Sequence, residues 1–463
     1  MNAFVFRSLL AAGLIGAGFA AGAGLAPPFD PAEERPGGDT TVFDDGKNAF
    51  AHPAANLDDR QRTEFVIGNS FFKKNWVEAP SSTTARDGLG PHFIARSCGS
   101  CHTEDGRGAP PAFENTLQSE QPMALLFRLS LPDGRPEPTY GGQFNNDAVS
   151  GVKPEGQIEI QYQEIEGRFA DGEGYTLLKP AYRFSQLNYG PMLPDTLMSP
   201  RIAPQMIGLG LLEAIREQDI LNNARQQQQA GGPVRGRPNY VPDAYARRTV
   251  LGRFGWKANT GSIAHQSAGA FLGDIGITSS RFPHEECTSR QKDCRRSPSG
   301  GKPEIADKLL DQVILYSRTQ AVPAARNLDD PKVRSGREIF HAAQCATCHV
   351  PSYTTGPFAP VPQLGGQKIF PYTDLLLHDM GEGLADGRPD FRAGPRDWKT
   401  PPLWGLGLVE AVNGHTRYLH DGRARNLLEA VLWHGGEAEA AKQQVLRLSR
   451  TDRENLVRFL QSL

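Results

Sequence analysis

The chain has 463 residues, with 50 Lys and Arg against 52 Asp and Glu and a formal net charge of −2. That balance offers no basic face to nucleic acid, and the length suits two or three domains rather than one small one. Glycine (50) and proline (36) are plentiful and aromatic residues make up only 8%, which suits a loop-rich chain of short helices.

Residues 1–25 carry one positive charge at Arg7, an apolar run from Leu9 to Phe19, then small residues from Ala20 to Gly24. This is the pattern of a secretory signal peptide and is short for a spanning helix; an uncleaved anchor is the alternative. Residues 26–56 are rich in Pro, Gly and Asp and lack periodicity, which predicts an extended arm. Cys98-Gly-Ser-Cys101-His102 follows, and Gly106–Pro111 reads as a loop beside it. Polar and apolar residues alternate within 131–190, most clearly over 155–165, predicting a β-insert. Residues 212–230 have helical periodicity. Cys287 and Cys294 sit in a short polar loop, where an oxidising compartment favours a disulfide; a redox-active pair is the alternative. Val322–Pro331 reads as a linker, and Cys345-Ala-Thr-Cys348-His349 follows it. The chain closes on helical periodicity over 439–463, with Thr451 as the expected N-cap of the last helix.

Ala203–Ile215 (APQMIGLGLLEAI) matches Thr400–Val412 (TPPLWGLGLVEAV), and each copy lies downstream of one Cys-x-x-Cys-His motif. Two units from one ancestor produce such a pattern. The resulting division is a first unit at 57–325, enlarged by insertions, and a second at 326–463.

Cys-x-x-Cys-His is the attachment signature of c-type haem. The thiols of Cys98 and Cys101, and of Cys345 and Cys348, add to the porphyrin vinyl groups, and His102 and His349 face the iron from the proximal side. A redox dithiol does not need the histidine. A zinc ribbon brings its two Cys pairs within about 20 residues, whereas these pairs are far apart. The expectation is two covalently bound haem c groups, attached outside the cytoplasm, and a periplasmic location.

With both motifs placed, the chain resembles the bacterial di-haem oxidoreductases, the peroxidase-like family also called thiol oxidoreductases. The matching stretches include Phe72–Trp76, Ala79–Gly90, Ala95–Cys98, Tyr140–Gln143, Gly252–Lys257, Pro371–Gly381 and His420–Ala438. The family is distantly similar to di-haem cytochrome c peroxidases and to MauG-type enzymes that oxidise a partner protein. The resemblance implies a mainly α fold of two cytochrome c-like haem domains, the first enlarged by loop and β insertions. It also implies electron flow from a C-terminal haem to an N-terminal haem that cleaves hydrogen peroxide. In the relatives a His-Asp-Gly phrase precedes an axial Met or Tyr. Here His434 stands at that place after His420-Asp421-Gly422, which implies a bis-His C-terminal haem, with His378, His420 and Met380 as rivals. The relatives carry a Trp between the haems, a Gln over the reactive iron and a Glu downstream. Trp256, Gln266 and Asp274 match them, Asp274 being a methylene shorter, and His265 is an unexpected neighbour that could act as acid/base or sixth ligand. Peroxide cleavage needs a base to move a proton and a donor for developing charge. The bland alternative is that these side chains only line a packed interface. Arg86, Arg96, Arg201 and Arg423 are candidates for propionate contacts. Calcium joins the domains in the peroxidase relatives, but no compact acidic loop supports it here.

The implied partners are a periplasmic electron donor, a small cytochrome or cupredoxin, and hydrogen peroxide or another small oxidant, with no nucleic acid. Two other functions fit the same motifs: a non-enzymatic di-haem electron carrier, and a MauG-like oxidant of a partner protein or metal ion. Thiol chemistry has little support, because four of six cysteines are spent on haem.

Overall fold

The computed structural model describes residues 26–111 and 124–463; the expected signal peptide lies outside them. No helix among these residues is long and apolar enough to cross a membrane.

The expectation of a mainly α fold is corrected. Helices account for 31% of the chain and strands for 18%, spread over several small sheets. The cause lies in the first half, where period-2 alternation outcompetes helix formation. Leu125–Ser130 is the centre of a three-stranded antiparallel sheet, flanked by Gln143–Phe144 and Leu197–Ile202. Between these outer strands, Gln157–Arg168 and Gly174–Ser185 form a long hairpin, paired from Gln157↔Ser185 to Arg168↔Gly174. At its root Ile158 and Ile160 join the apolar cluster of the three-stranded sheet; near its tip Phe169 and Leu177 join the cluster of the C-terminal helices. The Ala170 N–H donates to Leu446 O, and the Arg453 guanidinium lies 3.9 Å above the Phe169 ring. The hairpin therefore straps the two halves together.

Two helix pairs frame the two motifs. Asp59–Lys73 starts with a capping box between Asp58 and Gln61 and packs on Asp307–Arg318. Their close approach requires Gly68, where a Cβ would stand 2.2 Å from Gln312 O. Pro331–Ala342, capped by Asp330 with Pro at its first position, packs on the terminal helix Arg450–Ser462. Phe340 and Phe459 meet there edge to face at 5.4 Å; burying each contributes about 1.5–3 kcal/mol. The terminal helix is capped by Ser449, not Thr451. The 439–463 periodicity divides into Glu439–Arg447 and Arg450–Ser462, and the 212–230 periodicity into Leu209–Ala214 and Glu217–Gln229.

The repeated segment has a structural counterpart. Gly208 (φ 67°) and Gly405 (φ 70°) hold the same left-handed turn at equivalent positions, each opening a helical turn. The copies also pack against one another reciprocally. A Cβ on Gly208 would reach within 2.4 Å of the Trp404 ring, and one on Gly405 within 2.4 Å of Ile207. Glycine is thus required twice over at both positions, for its backbone angle and for the neighbour. Cys287 and Cys294 form a disulfide, with Cα atoms 5.8 Å apart.

Candidate functional site

Cys98–Cys101 forms a single helical turn, and Cys345–Thr347 a 3₁₀ turn, so each motif presents its thiols from a short helix. The following imidazoles share one hydrogen-bond arrangement. His102 Nδ1 donates to Pro204 O at 2.7 Å and His349 Nδ1 donates to Tyr372 O at 2.9 Å. A carbonyl can only accept, so both rings carry their proton on Nδ1 and leave the Nε2 lone pair free. His434, remote from either motif, repeats the arrangement by donating Nδ1–H to Ala430 O at 2.8 Å. Pinning one nitrogen on a carbonyl while freeing the other is how a protein presents a histidine to a metal.

Cys345, Cys348, His349 and His434 all line one cavity, walled mainly by apolar side chains such as Phe340, Leu403, Leu427, Val431 and Leu460. Each keeps partly exposed surface, yet burial dominates its titration, which identifies that surface as facing the cavity rather than bulk water. Burial, reinforced by the nearby His434, lowers His349 to about 4, and burial raises the Cys345 thiol to about 12. Neutral imidazoles, two thiols and apolar walls are a donor set and a solvent that fit a haem. His349 and His434 would be its axial ligands and Cys345 and Cys348 its tethers.

The three rivals to His434 also line this cavity. His378 has no free nitrogen: Nε2 is 2.9 Å from Asp374 Oδ2 and Nδ1 is 2.7 Å from Glu437 Oε2. The two carboxylates hold it well above the usual histidine range despite its burial. This imidazolium is a structural ion pair. Asp374, His378 and Cys348 are the one group of ligand-type side chains within 4.8 Å of one another among the described residues. His420 stacks on Trp398, ring centroids 3.8 Å apart, and burial lowers it to about 3. Met380 is partly buried against the C-terminal cluster.

Around the first motif, Cys98 packs on the main apolar cluster and Cys101 on that of the three-stranded sheet. Asp105, fully buried, accepts from Gln320 Nε2 at 2.8 Å and from the Tyr316 hydroxyl, with Lys73 Nζ at 2.9 Å. It anchors the loop that carries His102.

Gln266 and Asp274 lie on one helical run, Ile263–Ala270 continuing into a π-turn at Phe271–Ile275. Eight residues apart, they are separated by roughly 12 Å along an ideal axis. Asp274 is the one beside the motif, since its charge bears on Cys98, Cys101 and His102. A π-turn is a frequent means of re-aiming a functional side chain. Gln266 is partly exposed, with no side-chain hydrogen bond among the described residues. His265 is otherwise engaged: Nδ1 accepts from the Ala244 N–H at 3.0 Å and the ring meets Phe282 edge-on. Trp256 packs against both the cluster holding Cys101 and the cluster holding Cys345. Its indole N–H donates to Ile202 O at 2.8 Å, and the Arg107 guanidinium lies 5.3 Å above the ring.

Two side chains near Asp274 escaped the sequence reading. Gln143 Nε2 donates to Asp274 Oδ1 at 2.9 Å and to Gly273 O at 2.7 Å. Its only signal was its place in the Tyr140–Gln143 stretch. Glu286, beside the disulfide, is raised by burial and then by Asp274, with Arg128 opposing. Two of the four arginines marked for propionates are committed within the protein: Arg201 to Asp390 at 2.8 Å and Arg423 to Asp421 at 2.7 Å. Arg96 is exposed and lies over Phe93, and Arg86 is partly exposed.

The family model described as "di-haem oxidoreductase, putative peroxidase" matches residues 32–150 and 155–463. No curated protein and no solved structure matches the chain.

Proposed function

Because the chain belongs to the di-haem oxidoreductase family, we propose that it is a periplasmic peroxidase-like enzyme with two covalently attached haem c groups. Electrons from a small cytochrome or cupredoxin enter at the C-terminal site and reach an N-terminal site open to hydrogen peroxide. The observation that carries this reading is the trio of pinned imidazoles. His349 and His434 share one cavity, whereas His102 has no matching histidine across from it among the three.

When bound, a haem iron supplies one-electron transfer and, at an open coordination position, peroxide chemistry. The residues of the chain do the rest. His349 and His434 would hold the iron at the C-terminal site, which suits electron relay. Trp256, packed against both apolar clusters, provides an aromatic bridge between the sites. At the N-terminal site Gln143 holds Asp274 Oδ1, leaving Oδ2 to take the proton from the near peroxide oxygen and deliver it to the far one. Gln266, roughly 12 Å along the same helical run, stands away from this carboxylate and is assigned no role on the same peroxide. Two electrons and two protons then convert one peroxide into two waters.

Intact mass should exceed the mature polypeptide by two haem groups. Reduced protein mixed with hydrogen peroxide in a stopped-flow experiment should react far faster than a closed cytochrome does. Asp274→Ala should slow that reaction on the order of 100-fold with both haems retained. A wild type that ignores peroxide but exchanges electrons readily with a periplasmic cytochrome would establish the electron-carrier function instead.

A further inference from the structure

The C-terminal cavity is lined by Arg107, Arg253, Lys399 and Lys442 and by the charged His378, and all of these but Lys399 are already partnered. Arg107 donates Nε–H to Arg417 O at 2.7 Å and a second N–H to Leu419 O. Arg253 donates to Leu212 O and Ile215 O. Lys442 pairs with Glu439 at 2.6 Å, and His378 sits between Asp374 and Glu437. Lys399 lines the same cavity and is 9% exposed, yet its ammonium has no hydrogen bond or ion pair among the described residues. The opposite charge that acts on it is that of Asp374, which His378 already engages. Burial alone brings Lys399 down to about 8.

An unpaired ammonium is among the costliest groups to bury, and a protein holds one charged with an anion beside it or lets it lose its proton. The backbone places this one firmly. Lys399 ends the short strand Asp397–Lys399, paired with Leu377, and its N–H donates to Trp256 O at 2.8 Å. The repeat makes its placement specific to the C-terminal site, since the residue just before the matched segment is Lys399 in the second copy and Ile202 in the first.

We propose that the Lys399 ammonium is the counter-ion for a carboxylate of the cofactor in the C-terminal cavity, a haem propionate, and that it thereby raises that haem's reduction potential. This rests on the haem reading above and adds a residue to it. A positive charge near the iron favours the reduced state. A unit charge about 10 Å away in a medium of effective dielectric about 20 changes the reduced-to-oxidised ratio on the order of tenfold, which is about 59 mV for a one-electron couple. Lys399 is a positioning residue and does not touch peroxide.

The test is an EPR-monitored redox titration of the holoprotein, following the low-spin signal of the C-terminal haem in wild type, K399M and K399R, with intact mass recorded for each. K399M should lower that midpoint by about the shift above, while K399R, keeping the charge, should stay near wild type. If K399M does not accumulate, K399Q takes its place. An unchanged midpoint in the neutral variant with both haems attached overturns the proposal and leaves the haem reading intact. An equal shift in K399R and the neutral variant also overturns it, because charge would not be the cause. A wild type whose mass shows no haem overturns the underlying reading, and the proposal falls with it.

Discussion

Lys257 offers the most direct measurement of what holds the inter-site region together. It is 0% exposed, directly follows Trp256 and donates to Asp386 Oδ1 at 2.7 Å, Arg388 O at 2.7 Å and Gly394 O at 3.0 Å. It also lies 4.7 Å from the centre of the Trp398 ring, which stacks on His420. At 2.7 Å and an effective dielectric of about 20, the gross attraction is about 6 kcal/mol. Desolvation cancels much of this in the intact pair, but the loss of one partner strands a buried charge. K257M should therefore destabilise by about 3–5 kcal/mol, and D386N should be costly for the same reason. The K257M/D386N double variant should cost clearly less than the sum, with a coupling of about 1–3 kcal/mol. Denaturant unfolding of the four holoproteins, followed by tryptophan fluorescence, supplies the cycle. Two single losses that simply add, within about 0.5 kcal/mol, would refute the claim that the pair acts as one buried unit.

H434A should convert the low-spin signal of the C-terminal haem to high spin or to a water-ligated form in EPR. An unchanged spectrum would move the ligand to His420 or Met380. Glu155 is 1% exposed, and burial raises its carboxyl to about 8 although Asn145 N–H and Gln291 Nε2 bond to it. The unfolded chain releases this proton near pH 4.5, before the folded protein does. The contribution is therefore whole below that pH and lost progressively as pH rises to about 8, at a limiting slope of about 1.4 kcal/mol per pH unit. E155Q removes the titrating proton and keeps one of the two hydrogen bonds through its single accepting oxygen, so whatever its offset in stability, melting curves between pH 5 and 8 should show a shallower loss than wild type; parallel curves would count against it.

How far the molecule can be read from its sequence depends on whether the determining neighbours are contiguous. The two Cys-x-x-Cys-His motifs, the glycine turns at 208 and 405, the alternation behind the 157–185 hairpin and the terminal helix are written in runs of a few to a dozen residues. Local spacing therefore reveals them. The family resemblance is what put forward His434, Trp256 and Asp274 as candidates. The mainly α expectation failed because motif and family analogy say little about how much chain an insertion commits to strands. What stayed hidden were the partnerships between residues far apart in sequence. Glu437 closes on His378 from 59 residues away, Gln143 reaches Asp274 across 131, Asp390 takes an arginine expected at a propionate across 189, and Lys399 is left alone among partnered cations. A side chain's charge state and freedom depend on which distant groups it is buried beside, and only the packed tertiary structure decides that.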